Sequence, residues 1–189
     1  YPPVFPALSA IMLWLFPNSE YNAVRIMVTF LAGLVLLLTW FLTNNLNKIA
    51  RYLIVSNVAT NFFFINYATD ILSEIPYMLF YLMFLLFIKK IKSSITIAIL
   101  SGITLGLSLL TRTIGFALLI ELLPLTIYLL FQNRANRVKK SHKTQINFLI
   151  VILLSAIFGL GWIANLFISS KINTYPTHNG EVRTYIDYA

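Results

Sequence analysis

Asp70 and Glu74, in the stretch TDILSEIP, are carboxylates four residues apart, and Arg112, in TRTIG, carries a guanidinium whose fork of donors matches phosphate oxygens. If TDILSEIP is helical, both carboxylates share one face, where they accept hydrogen bonds from sugar hydroxyls or orient a substrate. A structural reading stays open for each. Ser73 can act as an N-cap, Pro76 suits a first helical turn, and an acid there complements the helix dipole by ~0.3–1 kcal/mol. Arg112 can equally be a snorkelling anchor at a helix end. The opening Tyr1-Pro2-Pro3 is a rigid aromatic loop. Glu121 is the one acid inside an apolar run, either pairing with Arg112 or Arg25 or lining a site. His142 and His178 have no ligand partners at metal spacing, and with no cysteine neither a thiolate site nor a disulfide forms; no metal and no cofactor are expected.

The elements that must position these groups belong in lipid. The chain of 189 residues is 59% hydrophobic and 11% charged, against the ~25% charged of soluble domains. Its net charge of +8 does not indicate a nucleic-acid binder, because the basic residues sit between apolar runs rather than on one polar face. Runs nearly free of charge occupy Ile26–Asn47, Tyr52–Thr69, Ile75–Ile88, Ser93–Thr111, Thr113–Asn133 and Thr144–Ser170. Most reach the ~20 residues that cross a ~30 Å hydrocarbon core, and the short third run is extended by snorkelling Lys89, Lys90 and Lys92. The expected fold class is therefore an all-α polytopic membrane protein with about six transmembrane helices and a short interfacial helix, Ala7–Phe16, with Trp14 and Tyr21 in the headgroup belt.

Within the runs, Ser56, Asn57, Thr60 and Asn61 lie on one helical face, expected to point into the bundle as interhelical hydrogen bonds or the lining of a wet cavity. Gly102 and Gly106, and likewise Ser155 and Gly159, are small pairs one turn apart that allow close helix approach. Gly115 suits a turn after Arg112, and Pro124 is expected to kink the fifth span.

Ten of the 14 basic residues fall in the loops after the first, third and fifth runs: Lys48 and Arg51, then Lys89, Lys90 and Lys92, then Arg134, Arg137, Lys139, Lys140 and Lys143. Those loops are expected to be cytoplasmic. Five of the six acids fall on the other side, so Tyr1-Pro2-Pro3, TDILSEIP and TRTIG converge on the extracytoplasmic face, as do both chain ends. A chain that starts outside on a Pro-rich loop without an initiator methionine reads as a fragment. Residues 1–170 are expected to form the membrane domain and residues 171–189 an external tail or the opening of a further external region.

In this order the motifs resemble those of polyprenyl-phosphate-sugar-dependent glycosyltransferases of the C superfamily, such as dolichyl-phosphate-mannose protein mannosyltransferases and lipid A aminoarabinose transferases. The opening YPPVFPALSAIMLWLFPNSEYNAVR is similar to the family's Tyr- or His-Pro-Pro loop, interfacial helix and early arginine. SEIPYMLFYLMFLLF resembles its Ser-Glu-x-Pro span, and SGITLGLSLLTRTIGFALL its Gly-rich span ending in Thr-Arg-x-x-Gly, with Thr113 where the family often has proline. The resemblance covers about Tyr1 to Ser170.

The resemblance implies an inverting transfer of a sugar from a polyprenyl-phosphate carrier to an acceptor hydroxyl on the extracytoplasmic face, without nucleic acid, in the bacterial inner membrane. It implies that Tyr1, Pro2 and Pro3 shape the substrate cavity, that Asp70 and Glu74 are polar groups on the substrate side, and that Arg112 contacts the carrier phosphate. It also implies that the catalytic carboxylate belongs to an external loop upstream of Tyr1, so neither Asp70 nor Glu74 takes that role. Two other classes compete. A transporter or flippase for a lipid or envelope polymer is expected to show inverted halves and broken helices, and an envelope-polymer ligase a large basic external loop.

Overall fold

The computed structural model describes residues 2–19, 21–91, 94–112 and 141–172, together with 175–176 and 182–183, and in the last helix the side chains of residues 146–165. Seven helices follow one another among the described residues: α1 (Val4–Leu15), α2 (Tyr21–Leu42), α3 (Lys48–Thr60), α4 (Phe62–Thr69), α5 (Glu74–Ile88), α6 (Ile95–Leu109) and α7 (Ser141–Ile172). After them β1 (Tyr175–Pro176) and β2 (Val182–Arg183) pair antiparallel, Tyr175 opposite Arg183. The fold is helical, as expected. The fifth apolar run, with Gly115, Glu121 and Pro124, lies outside the described residues.

Helix α1 starts at Val4, earlier than the expected Ala7, because Pro3 already holds α-helical dihedrals (φ −82°, ψ −18°). Pro6 falls in the first turn, where a missing N–H costs nothing. The opening prolines therefore form the helix start rather than a separate loop.

Helix α2 has 22 residues and buries a stripe of Val24, Val28, Ala32, Val35 and Thr39, spaced one turn apart. That stripe meets Phe64 of α4 and Ile75 and Leu79 of α5 in one core cluster. A second cluster joins Phe84 and Ile91 to Ala98 and Leu105 of α6 and Val151 of α7. The main packing order is α2, α5, α6, α7. Between α6 and α7 the contact is made by small residues: Gly102 lies against Val151 and Leu154, Gly106 against Phe158, and Ser155 and Gly159 are buried on the facing helix. Both expected small pairs thus sit at one helix interface.

The second apolar run is not one helix. Asn61 leaves helical geometry (ψ 126°) and caps α4, its Oδ1 accepting from the N–H groups of Phe63 (3.0 Å) and Phe64 (3.2 Å). Asparagine favours this role because its side chain competes with the helical backbone for hydrogen bonds. The polar face also points the other way from expectation. Ser56, Asn57, Thr60 and Asn61 are exposed, while Arg51, Ile54, Val55 and Val58, at helical spacing, form the half-buried face. The apolar branched residues of α3 win the packed side, since burying the polar ones would leave them short of partners. Replacing Asn61 by alanine removes the acceptor for two backbone donors and is expected to cost about 1 kcal/mol, read as a lower unfolding midpoint in mixed micelles.

Length limits the span count. Helix α2 and residues Ile146–Asn165 of α7 are each long and apolar enough to cross a membrane, and α4 with α5 makes a third only as a pair bent by 111°. Helix α5 and helix α6 have 15 residues each, about 22 Å at ~1.5 Å per residue. Two or three candidate spans are present among the described residues, and the fifth of the six expected runs lies outside them.

Candidate functional site at the Glu74 end of the helices

The two ends of the helix assembly differ in charge. Asn147 Nδ2 donates to Ile91 O (2.6 Å) and Lys89 Nζ to Leu42 O (2.7 Å), so the end of α2, the end of α5 and the start of α7 lie together with Lys48, Arg51, Lys89 and Lys90. At the opposite end Thr29 Oγ1 donates to Ala68 O (2.9 Å), joining α2 to α4, and α5 begins where α6 finishes.

Three motifs distant in sequence converge there. The N–H of Val4, in the first turn of α1, donates to Leu110 O at 3.0 Å. The first N–H groups and last C=O groups of a helix have no partner within it. This bond pairs an orphan donor of α1 with a carbonyl at the end of α6 and sets the positive end of one helix dipole on the negative end of the other. It ties the Pro-Pro motif to the Thr-Arg motif.

Two residues further on, Arg112 Nη1 lies 3.0 Å from Glu74 Oε1. Glu74 is the first residue of α5, where an acid suits the dipole, and Arg112 follows the end of α6, where a cation does. The Ser73 side chain makes no capping bond, so that part of the structural reading fails. Pro76 is buried in the first turn of α5, which a proline there does not disturb.

The pair is unevenly exposed: 14% of the Glu74 side chain and 39% of Arg112 is open. Glu74 Oε2 is buried with no hydrogen-bond partner. A guanidinium has five donors and the pair engages one, so an open face of Arg112 and an unused carboxylate oxygen lie side by side. Such an arrangement can bind a phosphate oxygen at the open face of Arg112.

The other expected site residues fall as follows. Pro2 is half-buried and Pro3 exposed beside this junction, and Tyr1 lies outside the described residues. Asp70 is exposed in extended backbone (φ −99°, ψ 160°) where α4 ends, so it does not share a helical face with Glu74. Asp70 lies in the four-residue break between α4 and α5, which are bent by 111° to each other. Arg112 pairs with Glu74; Glu121, read as a partner of Arg112 or Arg25 or as a site wall, lies outside the described residues. Arg25 sits exposed in the second turn of α2. Among the described residues no group of three or more His, Cys, Asp or Glu comes together that could hold a metal. The Glu74–Arg112 pair was signalled only by an acid opening one apolar run and an arginine closing the next.

A helical, apolar chain with helices long and apolar enough to cross a membrane has the make-up of a membrane protein. Residues 1–162 match the model of the dolichyl-phosphate-mannose-protein mannosyltransferase family, and the chain belongs to that family. It is a mannosyltransferase-like member of a family of integral membrane glycosyltransferases. Comparison with curated proteins and with solved structures gives no match.

Proposed function

We propose that the chain takes part in moving a sugar from a polyprenyl-phosphate carrier to an acceptor hydroxyl on the extracytoplasmic face of a bacterial inner membrane. The observation that carries this reading is the Glu74–Arg112 pair with its unused valences, held at a helix junction tied to the Pro-Pro motif. In the transfer the acceptor hydroxyl gives its proton to the catalytic carboxylate that the family resemblance implies, its oxygen bonds to the anomeric carbon, the bond from that carbon to the carrier phosphate breaks, and the phosphate leaves with the electron pair. Arg112 stabilises the growing negative charge on the departing phosphate, a charge-assisted contact strongest in the transition state. Glu74 orients Arg112 through Oε1. Pro2 and Pro3, with Tyr1, stiffen the cavity wall, and Asp70 stands at its rim. The six-span arrangement, the membrane domain over residues 1–170, and residues 171–189 as an external tail or the start of a further external region complete the proposal.

One observation favours the transporter reading, the break at Asn61 inside an apolar run, since transporters use broken helices. Family membership weighs more. The two readings separate when the full-length protein, in proteoliposomes, is supplied with polyprenyl-phosphate mannose and a range of hydroxyl acceptors. Free polyprenyl phosphate accumulating in step with glycosylated acceptor is the expected result. Donor crossing the bilayer with its sugar still attached, and no carrier phosphate released, would overturn the transferase.

A further inference from the structure

At the other end of the helices, away from Glu74 and Arg112, cations gather around the end of α2 with no acid near them among the described residues. Residues 21–69 and 75–91 contain no Asp or Glu, and Asp70 and Glu74 lie at the opposite end. Lys89 Nζ donates to Leu42 O at 2.7 Å. Arg51 Nη2 donates to Asn44 Oδ1, two residues on, and the guanidinium lies over the Trp40 ring, 4.6 Å from its centroid. Tyr52 packs its ring edge-on to Trp40 at 4.9 Å. The arginine is thus held in a set orientation before any ligand arrives. Its Nε is buried with no acceptor. Asn44 engages one of the five guanidinium donors, and the remaining Nη donors match phosphate oxygens.

The surroundings select the kind of phosphate. Lys48 is exposed one turn before Arg51, and beside them Leu46, Ile49, Tyr52 and Leu53 present large apolar side chains to the outside. Trp40 is two residues from the end of a helix long enough to span the membrane, the depth at which Trp and Tyr sit at the headgroups. A soluble phosphate has no use for that apolar rim; acyl chains do.

We propose that Arg51, Lys48 and Lys89 form a binding site for the headgroup of an anionic phospholipid, with the exposed side chains of α3 flanking its acyl chains. The site is independent of the sugar-transfer reading and lies at the other end of the helices. Bound there, the lipid neutralises cations around the carbonyl end of α2.

The test follows the thermal unfolding midpoint of the full-length protein in dodecyl maltoside during titration with phosphatidylglycerol, phosphatidylcholine or glycerol 3-phosphate. Phosphatidylglycerol is expected to raise the midpoint, and the concentration giving half the effect to rise about fivefold in Arg51→Gln and in Lys89→Gln, the effect of one cation near an anionic surface. Arg51→Lys, which keeps the charge and loses the planar fork of donors, falls between wild type and Arg51→Gln, and Arg25→Gln titrates as wild type. Each variant is compared with its own lipid-free midpoint, so lower starting stability does not mimic lost binding. Equal stabilisation by phosphatidylcholine, full effect of glycerol 3-phosphate alone, or Arg51 and Lys89 variants titrating as wild type would overturn the site.

Discussion

Arg112→Ala is expected to lower kcat/KM for a polyprenyl-phosphate sugar by about 10²–10³-fold, the cost of losing one well-placed donor to a developing oxyanion. Two effects add in this variant. The departing phosphate loses its cation, and the Glu74 carboxylate, mostly buried, loses its ion-pair partner. The second effect alone costs roughly 1–3 kcal/mol of stability, the penalty for an unsatisfied buried polar group. Arg112→Lys separates them. It keeps a positive charge opposite Glu74, so folding is preserved, but an ammonium lacks the planar fork, and a drop of about tenfold in kcat/KM is expected. Glu74→Gln removes the charge that orients Arg112 while keeping the side-chain shape, and a similar drop is expected. Steady-state release of carrier phosphate, measured beside an unfolding midpoint for each variant, distinguishes lost chemistry from lost structure.

The second large effect is on stability. A Cβ placed on Gly106 lies 2.5 Å from Cδ2, 2.8 Å from Cγ and 3.1 Å from Cβ of Phe158. The Cβ of Phe158 cannot turn aside, so the α6–α7 contact has to open. Overpacking a close interface costs typically ~1–3 kcal/mol, and Gly106→Val is expected at the upper end. Gly161 supplies the comparison, since a Cβ there meets nothing within 4 Å. Gly161→Ala is expected to be neutral or slightly stabilising, because alanine is the better helix former. Pairing Gly106→Ala with Phe158→Leu is expected to recover part of the loss, which a simple propensity effect of the glycine would not do. Unfolding midpoints in mixed micelles measure all four variants.

Features carried by side-chain spacing were legible in the sequence. Gly102 and Gly106, and likewise Ser155 and Gly159, are four residues apart, which puts each pair on one face of its own helix, and the packing of α6 on α7 brings the two faces together. The gathering of Pro-Pro, Glu74 and Arg112 at one end was legible from the alternation of basic and non-basic loops. The contacts within that gathering were not. The Val4–Leu110 bond joins two backbone groups, and nothing in a side chain records it. The Glu74–Arg112 pair depends on where α6 ends beside α5, which is a matter of tertiary packing.

Errors came where one residue outweighed a run. Asn61 sits in apolar surroundings, yet its side chain ends one helix and starts the next. The exposed polar face of α3 misled because a polar stripe marks a helix's distinct side without saying which side packs. On α3 the packed side is that of Ile54, Val55 and Val58.

The central claim is that Arg112 meets the phosphate of the carrier. Binding of sugar-free polyprenyl monophosphate to the full-length protein, measured for wild type, Arg112→Lys and Arg25→Ala, tests it without any need for acceptor or turnover. The account predicts binding weakened tenfold or more by Arg112→Lys and unchanged by Arg25→Ala; equal affinity in wild type and Arg112→Lys would contradict it.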